Sequence, residues 1–269
     1  MRSVILVISS LVLLSLCPRA QAQQEETEGW RWEADLGISA HYVRGFIDDS
    51  YDEKGEVNLA VLLIGGVYYD DFYLELSPHT RHPLTLGYKL QTSERSQLSL
   101  VAESYFVSVT DNESRPGDKL YGIDDRLASL EGGIEYLREF DTYEVRVRLL
   151  HDMLDRHNGT IATLEIARPI FTRKVFYLPS VGLTYISSKA TDYYFGVRAN
   201  EVTDQRPAYQ AGSGMIGSVR LYAERPMGDS WSLVGFASYN LINAAIADSP
   251  IVNPHKDAFN IGIGAVWSF

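Results

Sequence analysis

Histidines and carboxylates at close spacing are the residues of this chain best suited to chemistry. His151, Asp152, Asp155 and His157 fall in one short stretch, and His79 and His82 lie together in another. An imidazole beside a carboxylate is an acid–base pair, and two imidazoles with carboxylates form a metal donor set. Neither cluster sits in a catalytic frame. The chain has no Gly-x-Ser-x-Gly elbow, no His-Glu-x-x-His and no glycine-rich phosphate loop. Side chains of these types also belong in solvated loops, so the sequence predicts no enzyme, no catalytic residue, no cofactor and no metal. Acidic clusters at Asp48-Asp49 with Asp52-Glu53, and at Asp111, Glu113, Asp118, Asp124 and Asp125, offer charge to divalent cations that bridge lipopolysaccharide. Their spacing fits no calcium loop, and a solvated loop is the simpler account. Asn158-Gly159-Thr160 has the form of a glycosylation acceptor and reads as a turn.

The elements that carry these residues are strands. From Trp30 the positions Trp32, Ala34, Leu36, Ile38, Ala40 and Tyr42 are apolar, while Arg31, Glu33, Asp35, Gly37, Ser39 and His41 are polar or small. That is the period of two of a strand with unlike faces. The chain ends the same way, with Phe259, Ile261, Ile263, Ala265, Trp267 and Phe269 alternating with Asn260, Gly262, Gly264, Val266 and Ser268. Ten further strands are expected near 56–68, 71–77, 83–92, 96–109, 126–138, 142–153, 159–168, 174–186, 213–225 and 230–242, the 71–77 strand having the least pattern.

The N-terminus carries Arg2, an apolar run from Val4 to Leu16, and Ala20-Gln21-Ala22, the small-x-small pattern of a signal peptidase site. The run is shorter than the roughly 20 residues a membrane helix needs. Residues 1–22 are therefore expected to be a signal peptide cleaved near Ala22, and residues 23–269 to form one barrel domain. Cys17 lies in the removed part, so the mature chain has no thiol for a disulfide or metal site. It has 22 basic and 35 acidic residues, a net of −13, and such a surface is a poor partner for nucleic acid.

Connection lengths narrow the fold class. Brief turns at Tyr69-Asp70, Thr92–Arg95, Glu139–Asp141, Pro169–Arg173 and Pro226–Asp229 alternate with longer segments at Ile47–Gly55, Thr110–Asp125, Ser187–Gly212 and Asn243–Lys256, although two connections of the longer set, around His79 and Arg156, are short. A soluble β-sandwich has no cause for that parity, whereas a membrane barrel does. The sequence thus predicts an all-β fold, a closed antiparallel transmembrane β-barrel of about 12 strands (10–12), with both termini periplasmic, in the Gram-negative outer membrane. Seventeen tyrosines, among them Tyr42, Tyr68, Tyr105, Tyr136, Tyr143, Tyr185, Tyr222 and Tyr239, supply candidates for interfacial girdles.

If the apolar faces meet lipid, Arg31, Glu33, Asp35, Glu131, Glu135, Glu144, Arg146, Arg148, Glu165, Arg220 and Glu224 point into the lumen, where acids and bases must pair. A two-residue turn at Phe140-Asp141 sets Glu135 opposite Arg146. The same charges suit a lining of structural ion pairs or a small-solute channel. The long segment 187–212 exceeds the usual length of an unstructured loop and is expected to fold inward as a plug, to present Tyr193, Tyr194 and Tyr209 as a binding surface, or to pack those rings against the barrel rim.

Within that segment, Asp192-Tyr193-Tyr194-Phe195-Gly196-Val197 and Tyr209-Gln210-Ala211-Gly212-Ser213-Gly214 resemble the MipA/OmpV family of outer-membrane proteins. So do Pro179-Ser180-Val181-Gly182-Leu183, Asn158-Gly159 with Glu165, Ala247-Asp248-Ser249-Pro250-Ile251-Val252, and the ending Gly262-Ile263-Gly264 to Trp267-Ser268-Phe269. The matches cover the second half of the chain. After the first strand, Phe46-Ile47-Asp48-Asp49-Ser50-Tyr51 replaces the family's Pro- and Gly-containing segment. The resemblance implies an outer-membrane barrel in contact with lipid and lipopolysaccharide, and a scaffold joining a murein lytic transglycosylase to a murein synthase in the cell envelope.

Overall fold

The computed structural model describes residues 10–11, 29–47, 55–77, 84–105, 108–111 and 114–269. Twelve long or medium strands among them form a single antiparallel sheet: β1 Trp30–Arg44, β2 Glu56–Tyr69, β3 Phe72–Ser77, β4 Leu84–Ser93, β5 Ser96–Glu103 and β6 Glu131–Glu139. They continue with β7 Glu144–Asp152, β8 Thr160–Ala167, β9 Phe176–Ile186, β10 Gly214–Pro226, β11 Trp231–Ile242 and β12 Asp257–Ser268. Each strand pairs with its neighbours in sequence, and β12 pairs with β1, as when Ile263 faces Ala40. The sheet is therefore closed, and this satisfies backbone groups that an open edge would leave bare in lipid. No helix among the described residues is long and apolar enough to cross a membrane.

The period-two reading carries through. Ile38, Leu59, Val219 and Ile263 stand exposed on the outer face, while Ser39, Leu62, Ser218 and Val266 are buried within. Aromatic rings ring the outer surface at the end that holds the termini, including Trp30 against Tyr69 at 4.9 Å and Trp231 against Trp267 at 5.5 Å. Tyr42 and Phe259, 6.2 Å apart, stand near the other end. At ~3.3 Å per residue and a tilt near 40°, the strand between Trp267 and Phe259 spans roughly 20 Å of height, close to an outer-membrane apolar band. Of the tyrosines expected at the girdles, Tyr42, Tyr136, Tyr143, Tyr185 and Tyr239 do face out, but Tyr105 and Tyr222 are buried and Tyr68 points into the lumen. Tyr68 and Tyr222 share the parity of inward neighbours on their strands, where the register overrides the preference of the ring for an interface, and Tyr105 lies past the end of β5.

Two strand expectations are corrected at their ends. The segments expected at 96–109 and 126–138 stop at Glu103 and begin at Glu131, because residues between them are taken up by a packed loop. The turn after β6 is also longer than expected. Glu139 pairs with Glu144 across it, which sets Glu135 opposite Arg148 and leaves Arg146 opposite Leu137. Phe140 and Tyr143 stack at 4.6 Å inside this four-residue turn, and the Phe140 N–H donates to the Tyr143 carbonyl.

Inside, small residues make room for rings. Tyr73 faces Gly87 across β3 and β4, and a Cβ on Gly87 would lie 1.9 Å from the tyrosine ring. Phe236 covers Gly262 in the same manner. Such aromatic cover over strand glycines fixes register and fills the narrow interior.

Candidate functional site

The interior divides by chemistry. Along one wall Leu62, Ile64, Tyr222, Val234 and Val266 form an apolar cluster with Phe176, Leu178 and Phe236. Strand β2 reaches it because the run from Leu59 to Ile64 is apolar on both faces, one towards lipid and one inward. The opposite wall carries charge. The Arg148 Nε donates to the Glu135 carboxylate at 2.5 Å, and its Nη1 lies 3.2 Å from Glu103. Arg146 extends the ladder, 3.7 Å from Glu135 and 4.0 Å from Glu144. So the expected Glu135–Arg146 contact exists as a diagonal neighbour of the closer Glu135–Arg148 pair. Elsewhere Arg220 pairs with Glu165, and Tyr68 donates to Glu33 at 2.9 Å.

Beside the apolar cluster lies a cavity of about 320 Å³ lined by Leu178, Tyr222 and Phe236 together with the polar Glu165, Ser180, Arg220, Ser238, Asn240 and Asn260. It is polar enough to hold water or a small hydrophilic solute.

Towards the end away from the termini, the long loops close over the lumen. Residues Ser188–Phe195 form a helix, α1, that turns into the barrel mouth. Its Ala190, Tyr194 and Phe195 are buried against the inward Leu150, Ile161, Ile186 and Ile216. Segment 187–212 thus folds inward as a plug. Tyr194 is consumed in packing, whereas Tyr193 and Tyr209 stay half-buried at the surface. A second cluster, Val109, Leu120, Ile123, Val197 and Ile251, joins three loops above it.

Those loops interlock through one buried ion pair. Arg126 and Glu201 make a two-pronged contact at 2.6 and 2.7 Å with almost no solvent exposure. The remaining donors of Arg126 reach the carbonyls of Tyr193, Gly196 and Asp124. Glu201 also accepts the backbone N–H groups of Arg198 at 2.8 Å and Asp124 at 3.0 Å. Burial acts to raise the Glu201 carboxyl, and the hydrogen bonds from Arg126 and these amides outweigh it, taking it down to about 2. Arg206 completes the cap by donating to the carbonyls of Lys119 at 2.6 Å and Tyr121 at 3.1 Å.

The residues that suggested acid–base chemistry are separated by this arrangement. His151 faces outward, its Nδ1 3.1 Å from the Thr160 hydroxyl. Asp155 is exposed in a turn at φ +57°. Asp152 and His157 do come together, with Glu131 and Ser129, but in a fully buried clamp. Glu131 lies 3.2 Å from His157 Nε2, and the Gly159 N–H donates to Nδ1 at 3.0 Å. Asp152 accepts from Ser129 and from the backbone of Leu154, His157 and Asn158. These bonds hold the turn in place, and the His157 ring is held between Glu131 and the Gly159 amide. His79, His82, Glu113 and the acids at 48–53 lie outside the described residues. Asp111 and Asp118 accept the Gly122 and Arg115 amides inside their own loop, and Asp124 pairs with Arg198. Among the described residues no cluster of His, Cys, Asp or Glu is arranged to hold a metal ion.

Glu75 and Glu103 were missed as lumen charges, although each shares the parity of inward neighbours: Tyr73 for Glu75, Ser99 and Val101 for Glu103. Arg126, Glu201 and Arg206 had no such signal, because irregular loops carry no period.

A family profile described as MltA-interacting protein MipA matches residues 28–269, a span that includes all twelve barrel strands. The putative outer membrane protein YiaT of Escherichia coli (strain K12) is 26% identical over 186 residues, covering 69% of this chain and 75% of that protein. The outer membrane protein OmpV of Vibrio cholerae is 30% identical over 132 residues, 49% of this chain and 51% of that one. The MltA-interacting protein of E. coli (strain K12) is 24% identical over 169 residues, 62% of this chain and 67% of its relative.

Proposed function

Because the chain belongs to the MltA-interacting protein MipA family of outer-membrane β-barrels, we propose that it is a non-enzymatic scaffold that ties murein enzymes to the outer membrane. The observation that carries this reading is the mouth closed by α1 and interlocked loops, with His157 and Asp152 engaged in structural bonds. In this reading residues 1–22 are removed as a signal peptide, both termini face the periplasm, and the outer strand faces contact lipid and lipopolysaccharide. The short turns beside the termini then meet the partners, a murein lytic transglycosylase and a murein synthase. The longest of these turns exposes Arg173 and Lys174. Affinity capture of the tagged full-length protein from solubilised envelopes is the test. Recovery of both enzyme classes, reduced by Arg173→Glu with Lys174→Glu, supports the scaffold; capture of no murein enzyme refutes it.

A second reading, a small-solute channel, is favoured by the polar cavity of about 320 Å³ within the lumen. It requires the α1 plug to move aside. Single-channel conductance in planar bilayers, absent in the intact protein and present when residues 188–195 are deleted, would favour this reading over the scaffold.

A further inference from the structure

Beside the plug, the loop end carries a cleft of about 720 Å³ lined by Arg156, Lys189, Tyr193, Arg198, Tyr209 and Gln210. Its sign is unusual for this protein. The mature chain is acidic, yet three cations from two loops converge here. Asp192, the carboxylate in the lining, has one oxygen committed to the Ala211 N–H at 2.7 Å. His157 also borders the cleft, but its ring is held inside by Glu131.

The cations are unequally engaged. Arg198 donates to Asp124 at 2.9 Å in an exposed pair. Lys189 is exposed on α1 and forms no ion pair among the described residues. Arg156 has a buried Nε–H with no acceptor among the described residues. A buried donor left without a partner is costly, and an anion entering the cleft would supply one. The walls add a second feature. Tyr193 is tethered through its hydroxyl to the Leu127 carbonyl at 3.3 Å, and Tyr209 to the Ala245 carbonyl at 3.0 Å. Both rings are thus fixed in place, and the Gln210 amide lies beside them. Fixed aromatic walls with an amide suit the apolar face and hydroxyl rim of a sugar ring, and the volume far exceeds that of a bare oxyanion.

We propose that this cleft binds a phosphorylated saccharide, the phosphate held by Arg156 and Lys189 and the sugar ring by Tyr193 and Tyr209. The ligand is a soluble sugar phosphate or the phosphorylated sugar headgroup of a membrane lipid. Calorimetric titration of the full-length mature barrel in phosphatidylcholine nanodiscs, with glucosamine 6-phosphate, glucosamine and inorganic phosphate as probes, is the test. The sugar phosphate is expected to bind at least tenfold more tightly than either fragment. Arg156→Gln with Lys189→Ala should weaken it at least tenfold, and Tyr209→Ala should weaken the sugar phosphate without changing inorganic phosphate. Heat-modifiable migration of each variant confirms a closed barrel. Lipid A built into the same nanodiscs separates the sources: lost occupancy by the soluble probe assigns the site to the lipid headgroup, and retained occupancy assigns it to a free sugar phosphate. No binding of glucosamine 6-phosphate to the unaltered protein, equal binding of phosphate alone, or unchanged affinity in the charge variant would overturn the proposal.

Discussion

The cap and the lumen wall solve the burial of arginine in different ways. In the cap, Arg126 meets one carboxylate, Glu201, and three backbone carbonyls, so that guanidinium and acid are matched. Along the wall, Arg146 and Arg148 face Glu103, Glu135 and Glu144, with Glu75 also beside Arg146, and acids outnumber bases. The Arg146 Nε has no hydrogen-bond partner among the described residues. A matched pair locks irregular loops into one arrangement, whereas an unmatched ladder tolerates exchange of partners along a wall already held by backbone pairing. The cap should be brittle and the ladder forgiving.

The largest expected effect is therefore in the cap. Arg126→Met leaves Glu201 buried without its partner, a loss on the order of 3–5 kcal/mol. Because the barrel strands do not depend on this pair, the damage should be local. Limited proteolysis should cut within 187–213 in the variant and not in the parent, while both keep heat-modifiable migration. A variant that loses the barrel as well would mean that cap and wall are one cooperative unit.

Arg148→Met is expected to cost less, about 1–3 kcal/mol, since Arg146 lies close enough to take over Glu135. Chemical unfolding in detergent measures this. Adding Glu103→Gln should restore part of the loss, because the acid left unpaired is then neutral. Failure of that rescue would show that Arg148 acts through packing, and the contrast with the cap would lose its electrostatic basis.

The cap should also respond to acid in a defined window. The folded Glu201 carboxyl, at about 2, lies below its ordinary value of 4.5, so its stabilisation is complete above 4.5 and is lost as pH falls through about 2. Pepsin cleavage of the 187–213 loop, followed from pH 5 downwards, should set in only near the bottom of that window. In Arg126→Met the chief hydrogen-bond donor to the carboxylate is gone, and cleavage should be evident across the range.

The wall was legible in the sequence and the cap was not, for a physical reason. A strand between lipid and a filled lumen must alternate, so Trp32 to Tyr42 and Phe259 to Phe269 reveal both face and register from residue type alone. All twelve strands follow from that rule and from turn lengths. The girdle expectation fails at Tyr68, Tyr105 and Tyr222, because it weighs side-chain chemistry above position. The β6–β7 pairing slipped because stacking of Phe140 on Tyr143 selects a four-residue turn. In the cap, contacts such as Arg126 to Glu201 join residues 75 apart through irregular chain, and no local pattern marks them. The length of segment 187–212 marks it as structured, but neither its direction nor its partners can be read from residue type. The cleft by α1 is equally hidden, since Arg156 and Lys189 meet only after both loops have folded.

The smallest effect marks the limit of the comparison. Arg95 and Asp141 join two turns at the terminus end at 2.7 Å, a distance like that of Arg126 and Glu201, yet their side chains are 60% and 80% exposed. Water screens this pair and stabilises each partner when the other is removed, so Arg95→Ala should change stability by about 0–1 kcal/mol. Chemical unfolding of this variant beside Arg126→Met separates distance from burial as the source of the cap's strength. If Arg95→Ala proves as damaging as the cap substitution, the exposed turn is itself a fastening point of the barrel, and burial is not what makes Arg126 costly to remove.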